Sequence, residues 1–298
     1  VVRVANMVDP LYTVVAKFPR KFLPPKASAG PAGGEESGLR VADLTWPEAE
    51  RALTPERVVV LPLGAAAKEH GPHLLLRNDE ILAEYLARRV LERRHVALLP
   101  TLTYGYYPAF LDYPGSTSVS GETQRDAVVQ IVRSVARHGP RRFYVLNTGV
   151  STAPPLQAAA QALAREGVLL RYTDITAAGK EAESAVRQQP HGTHADEIET
   201  SLVLYMQPSS VRMEKAVADG MTPAPGPLRR RAGGDGVHSP SGVYGDPTLA
   251  TWQKGERVTA AMVDDILREI DALSAAPVPA GALRSALDPV GGPPVPAR

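Results

Sequence analysis

The chain has 298 residues, and its 33 Lys and Arg against 32 Asp and Glu leave no electrostatic footprint for nucleic acid or an anionic membrane. A hydrophobic content of 44% supplies a sizeable core and excludes global disorder. Cysteine is absent, so disulfides, thiolate zinc sites, iron–sulfur clusters and cysteine nucleophiles are excluded, and any metal must be held by His, Asp and Glu.

Residues 1–38 read as an N-terminal extension and linker, because Pro24–Gly38 is rich in Pro, Gly, Ala and Ser without an apolar period. Met7–Phe18 lacks the continuous apolar core of an export signal, and the compartment stays open. Over residues 39–273, short apolar runs alternate with amphipathic segments, the pattern of β/α units around a mainly parallel sheet. Strands are predicted at Arg57–Leu63, Val96–Leu99, Arg142–Leu146 and Leu169–Tyr172. Helices are predicted at Asp79–Arg94, Glu122–Arg137, Pro155–Glu166, Asp196–Met206 and Arg257–Leu273. The fold class is therefore α/β. Residues 274–298 read as a flexible Pro/Ala/Gly-rich tail. No apolar run approaches the ~20 residues of a membrane-spanning helix.

Two segments concentrate reactive side chains. The first, Lys68-Glu69-His70-Gly71-Pro72-His73, leaves the strand Arg57–Leu63 and leads to Asn78-Asp79 at the next helix. Ligands bind where a loop leaves the carboxyl end of a strand, and Glu69, His70, His73 and Asp79 can converge there on a divalent ion. As an alternative, these are polar surface residues and Asp79 is a helix cap. The second segment, His191-Gly192-Thr193-His194 followed by Asp196 to Ser201, puts Glu199 on a first helical turn and His194 near the helix N-terminus. That placement suits a carboxylate ligand and a neutral imidazole acting as proton carrier. Asp196 and Glu197 read as ordinary partners of the helix dipole. Between these lies Asn147-Thr148-Gly149-Val150-Ser151-Thr152, which has neither a phosphate-loop pattern nor the elbow of a serine nucleophile.

In these motifs the chain resembles the creatininase family, the creatinine amidohydrolases and their relatives. Pro62-Leu63-Gly64 followed by His70-Gly71-Pro72-His73-Leu74, with Asp79 nine residues after His70, is similar to the first family motif. Tyr104-Gly105 and Tyr113-Pro114-Gly115-Ser116 resemble its middle segment, and His194-Ala195 through Glu199-Thr200-Ser201 its His-Ala…Glu-Thr-Ser motif. Gly242-Val243-Tyr244-Gly245-Asp246-Pro247 and Lys254-Gly255-Glu256 extend the likeness. The resemblance implies a three-layer α/β/α fold, a small-molecule substrate, a homo-oligomer such as a hexamer, and a hydrolase whose divalent ions activate water against a cyclic amide or related C–N bond. Zinc is the first expectation, with manganese or iron as alternatives, at one or two ions per chain. His70, Asp79 and Glu199 are the implied ligands, and His194 is the acid/base residue.

Two departures bear on activity. Lys68 stands where the family has a glutamate ligand, and Gly149 where it has a ligand histidine. Glu69 and His191 are the residues expected to make up the set, with Lys68 holding a substrate carboxylate or oxyanion. The competing reading is a non-catalytic scaffold or binding protein with a degraded metal site.

Overall fold

The computed structural model describes residues 37–292; most of the extension predicted over 1–38, and residues 293–298 of the tail, lie outside the described residues. Five strands, Leu39–Arg40 (β1), Val58–Leu63 (β2), Val96–Leu98 (β3), Arg142–Asn147 (β4) and Leu169–Tyr172 (β5), form one sheet in the order β1-β3-β2-β4-β5. Every pairing is parallel. Such a sheet needs both faces covered, which explains the unbroken apolar run of β2. Side chains alternate across it. Val58 and Val60 pack with the helices Asn78–Leu91 (α2) and Trp252–Ala275 (α7), whereas Val59, Leu61 and Leu63 pack with Gly121–Ala136 (α3) and Ala153–Ala164 (α4). The fold is the three-layer α/β/α arrangement.

Three shorter α-helices lie among the described residues: Trp46–Ala52 (α1), Lys180–Val186 (α5) and Glu197–Met206 (α6). Sequence periodicity misses α1 and α5 because neither buries a residue fully, so neither carries an apolar stripe. Local chemistry forms α1 instead, through a capping box in which the Thr45 amide donates to Glu48 Oε2 at 2.7 Å. The last helix begins five residues earlier than Arg257, at Trp252, where Thr251 Oγ1 accepts from the Lys254 amide at 3.3 Å. Among the described residues no helix is long and apolar enough to cross a membrane.

Residues 281–290 of the predicted tail lie in contact with the core. The fully buried Arg133 guanidinium of α3 holds Glu166 at 2.9 and 2.6 Å and donates to the Asp288 carbonyl at 2.6 Å. Gly281 pairs with Glu166 in an isolated antiparallel bridge, and Leu283 and Val290 pack on the core. A buried cation with several donors thus ties down a segment whose own composition gives it no regular structure.

The packing of α6 on α7 is set by Gly255. A Cβ there would lie 1.9 Å from the Ser201 carbonyl oxygen, so the two helix backbones touch. Ser201 Oγ accepts from the Thr251 amide at 3.0 Å across the same crossing. Gly255→Ala is therefore expected to destabilise the protein by about 1–3 kcal/mol through overpacking. Chemical denaturation checks this, and an unchanged midpoint would mean that the helices separate without cost.

Candidate metal centre

Strands β2 and β4 are neighbours, yet β2 leads to α2 on one face of the sheet and β4 to α4 on the other. The crevice at their carboxyl ends is the topological switch point of the sheet, where α/β folds bind ligands. Gly64 closes it, because a Cβ there would lie 2.3 Å from the Asp79 carbonyl oxygen. The first turn of α2 is thus drawn against the end of β2, and Thr148 Oγ1 bonds the Leu63 and Asp79 carbonyls at 3.1 and 3.3 Å.

The buried carboxylate of Asp79 is shared. Its Oδ2 lies 2.7 Å from Lys68 Nζ and its Oδ1 lies 2.9 Å from His70 Nε2. His70 Nδ1 is 2.9 Å from the Lys68 carbonyl, which can only accept, so Nδ1 carries a proton. In the neutral imidazole the Nε2 lone pair then faces both Asp79 Oδ1 and Glu199 Oε1, the latter at 3.3 Å. Three electron-rich atoms converge there, which is stable only with a proton or a cation among them. Burial alone would lower the His70 pKa, but the charges of Asp79 and then Glu199 outweigh it and raise it to about 9. The His70 proton opposes burial in the same way and holds the Glu199 carboxyl well below the usual range.

Helix α6 delivers Glu199. Asp196 caps it, accepting from the Ile198 and Glu199 amides at 3.0 and 2.9 Å, while Glu197 accepts from the Gln189 amide at 2.8 Å and pairs with Lys254. These two acids are structural. Before the cap, Ala195 adopts a left-handed conformation, φ 49°, and its amide donates to Glu199 Oε2 at 2.6 Å. A non-glycine residue in that conformation is strained, and here the strain turns a donor toward the reactive carboxylate. His194 Nε2 faces the Glu69 carbonyl at 2.9 Å and Glu69 Oε2 at 3.2 Å, and Nδ1 lies 3.8 Å from Glu199 Oε2.

Donor atoms of His70, His194 and Glu199 fall within 4.8 Å of one another, and Asp79 Oδ1 meets the same His70 nitrogen. Imidazole and carboxylate donors of this kind fit zinc or manganese, and a divalent ion would take the place of the proton held at the convergence on His70 Nε2.

Two sequence-predicted ligands do not meet His70 Nε2. His191 is not brought to the cluster, because Nε2 bonds the Met221 carbonyl in a loop at the surface. Glu69 turns back on the Gly71 amide and on His194 rather than joining His70 and Asp79, since the Glu69 amide is pinned by Ser116 Oγ at 2.9 Å. His73 is not among the donors that meet at His70 Nε2, its own Nε2 lying 2.8 Å from Thr200 Oγ1. Gly149 is crowded by side chains, since a Cβ there would lie 2.9 Å from Thr152 Oγ1 and 3.3 Å from the Tyr107 ring. Ser151 Oγ donates to the Tyr106 carbonyl at 2.6 Å.

Several contributors escaped the sequence reading. Asn78 Nδ2 donates to Glu199 Oε1 at 3.1 Å, while its own Oδ1 is buried without a partner. The rings of Phe110 and Tyr107 lie 4.8 and 5.6 Å from Lys68 Nζ, and Phe110 also packs on His194 at 4.5 Å between centroids. Adjacency to Asp79 was the available signal for Asn78; nothing local marked Phe110. A cavity of about 490 Å³ opens over this cluster, reaching Lys68, His194 and Glu199, with Phe110, Ile175, Val237 and Met262 among its apolar lining.

Residues 42–270 match the family described as "Creatininase: Creatinine amidohydrolase". The chain is 34% identical to the mycofactocin precursor peptide peptidase of Mycobacterium tuberculosis over 71% of this chain and 84% of the relative. It is 30% identical to the creatinine amidohydrolase of Pseudomonas putida over 76% of this chain and 94% of that one. Among solved structures, a Mn creatininase superposes with TM-score 0.67 at 26% identity, covering 80% of this chain and all (100%) of its own. A Zn-Zn type creatininase variant superposes with TM-score 0.65 at 26% identity, covering 80% and 99%.

Burial pushes the His73 imidazole down to about 4, with Glu199 and Glu69 opposing the shift and His70 and His194 adding to it. A histidine neutral in the fold but titrating near 6.5 when unfolded takes up its proton preferentially in the unfolded chain. Stability of the metal-free protein should therefore fall as pH drops from about 6.5 toward 4, by up to about 3 kcal/mol from this group. Denaturation at a series of pH values checks it, and His73→Gln should flatten that part of the profile.

Proposed function

Because the chain belongs to the creatininase family, we propose that it is a metal-dependent amidohydrolase cleaving a cyclic amide or related C–N bond of a small molecule. The observation that carries this reading is the convergence of His70, Asp79 and Glu199 beneath a cavity that also exposes His194 and Lys68. In the proposal His70, Asp79 and Glu199 hold the ion, zinc or manganese by the chemistry of their donors. When bound, the ion supplies Lewis acidity toward a water and an amide carbonyl.

The chain's own groups do the remainder. Lys68 Nζ, fixed on Asp79 and reaching the cavity, faces the oxygen on which negative charge develops as water adds to the carbonyl carbon. His194 carries the proton that water loses to the nitrogen that leaves, and the C–N bond breaks with that nitrogen protonated. The Glu69 carboxylate, 3.2 Å from His194 Nε2, orients the ring. Phe110, its ring packed at a tilt against His194, keeps water from the proton's path.

A second reading, cleavage of a peptide bond, is favoured by the peptide peptidase among the relatives and by the volume and apolar lining of the cavity. Assembly as a homo-oligomer is proposed alongside, and light scattering on the eluting protein tests it.

Chelation should abolish turnover of the reactive member of a panel of cyclic amides and short apolar peptides, and zinc or manganese should restore it. Full activity in the chelated protein would end the metal-dependent reading. An inert, metal-loaded protein across the panel would favour the non-catalytic scaffold. His194→Ala should lower kcat by about 10²–10⁴-fold while metal stays bound, whereas Glu199→Ala should lose both.

A further inference from the structure

The two oxygens of Asp79 face different cations. Oδ1 points at the His70–Glu199 convergence, and Oδ2 at the Lys68 ammonium 2.7 Å away. Lys68 is itself buried, held under the rings of Phe110 and Tyr107, and Tyr107 fills the space beside Gly149 from which another side chain could approach. We infer that the centre is built for one divalent ion per chain, held by His70, Glu199 and Asp79 Oδ1, and that the Lys68 ammonium is a tethered positive charge standing at Asp79 Oδ2 in place of a second ion. The inference rests on the metal-dependent reading above.

Charge balance supports it. The formal charges of Glu69, Asp79 and Glu199 against Lys68 leave two negative charges in the cluster, which one divalent cation neutralises. A second dication would have to settle beside a buried ammonium, and that repulsion is strong where water is excluded. Among the described residues the other candidate donors are already committed: Glu69 to the Gly71 amide and His194, His194 to Glu69 through Nε2 and toward Glu199 through Nδ1, and His191 to the Met221 carbonyl at the surface. The arrangement lets a lysine supply permanently a charge that an ion would supply only when bound.

The test counts metal rather than turnover. Protein stripped with a chelator is titrated with zinc and with manganese, desalted, and its metal measured per chain, with affinity taken from calorimetry. One equivalent at saturation is expected. Two equivalents in the wild type would overturn the inference and leave the hydrolase reading standing, whereas none would overturn both. Lys68→Gln, which removes the repelling charge but keeps a polar partner for Asp79, should lower the Kd of the first ion about tenfold or more. An unchanged or weaker Kd in a folded Lys68→Gln protein would overturn the inference too. Should that variant not fold, the wild-type count decides by itself.

Discussion

The centre depends on one buried carboxylate being divided between two partners. Asp79 sits in the first turn of α2, and both its oxygens meet cationic or cation-binding groups, Lys68 on one side and His70 on the other. Burial would drive its proton back on, but Lys68 and then His70 hold the carboxyl low, so it stays charged. Everything else at the site follows from keeping that charge fixed: His70 is turned by the Lys68 carbonyl so that Nε2 faces inward, and Glu199 completes the convergence.

The scaffold makes this geometry affordable in a physical sense by bringing rigid ends together. Parallel strands β2 and β4 stop side by side with their following helices on opposite faces, which opens a crevice without disrupting the core. Gly64 allows α2 to approach β2, and Gly255 allows α6 to approach α7, so the helices carrying Asp79 and Glu199 are set by backbone contact. A side chain placed by backbone contact has little freedom to drift, and a metal or proton site needs that precision. Strain in Ala195 and the unpartnered Asn78 Oδ1 mark where the fold sacrifices local comfort at the site.

The same logic connects two positions of the site, Lys68 and Gly149. Lys68 and Gly149 look like separate losses in sequence, but in space they border one volume, occupied by the Lys68 ammonium and the Tyr107 ring. The aromatic rings screen the ammonium from water while Asp79 compensates its charge, which makes a buried lysine tolerable.

Much of this was legible along the chain. Apolar runs of β2, β4 and β5 and the stripes of α2, α3, α4 and α7 announced an α/β sheet, because burial on both faces imposes composition directly. The segments Lys68 to His73 and His191 to Glu199 were equally visible, since reactive residue types cluster there. Short helices α1 and α5 were not, for they bury no residue fully and leave no period to read. Nor could spacing decide which members of the two clusters meet. Glu199 reaches Asn78 across 121 residues and His194 reaches Glu69 across 125, and such contacts depend on strand register, helix crossing and rotamer together. His191 has the right chemistry, yet its ring is drawn to the Met221 carbonyl because the loop turns it outward. Residue type was determined by the sequence alone; convergence was decided only by tertiary structure, because a ligand's direction is a property of the packed backbone and not of its neighbours in the chain.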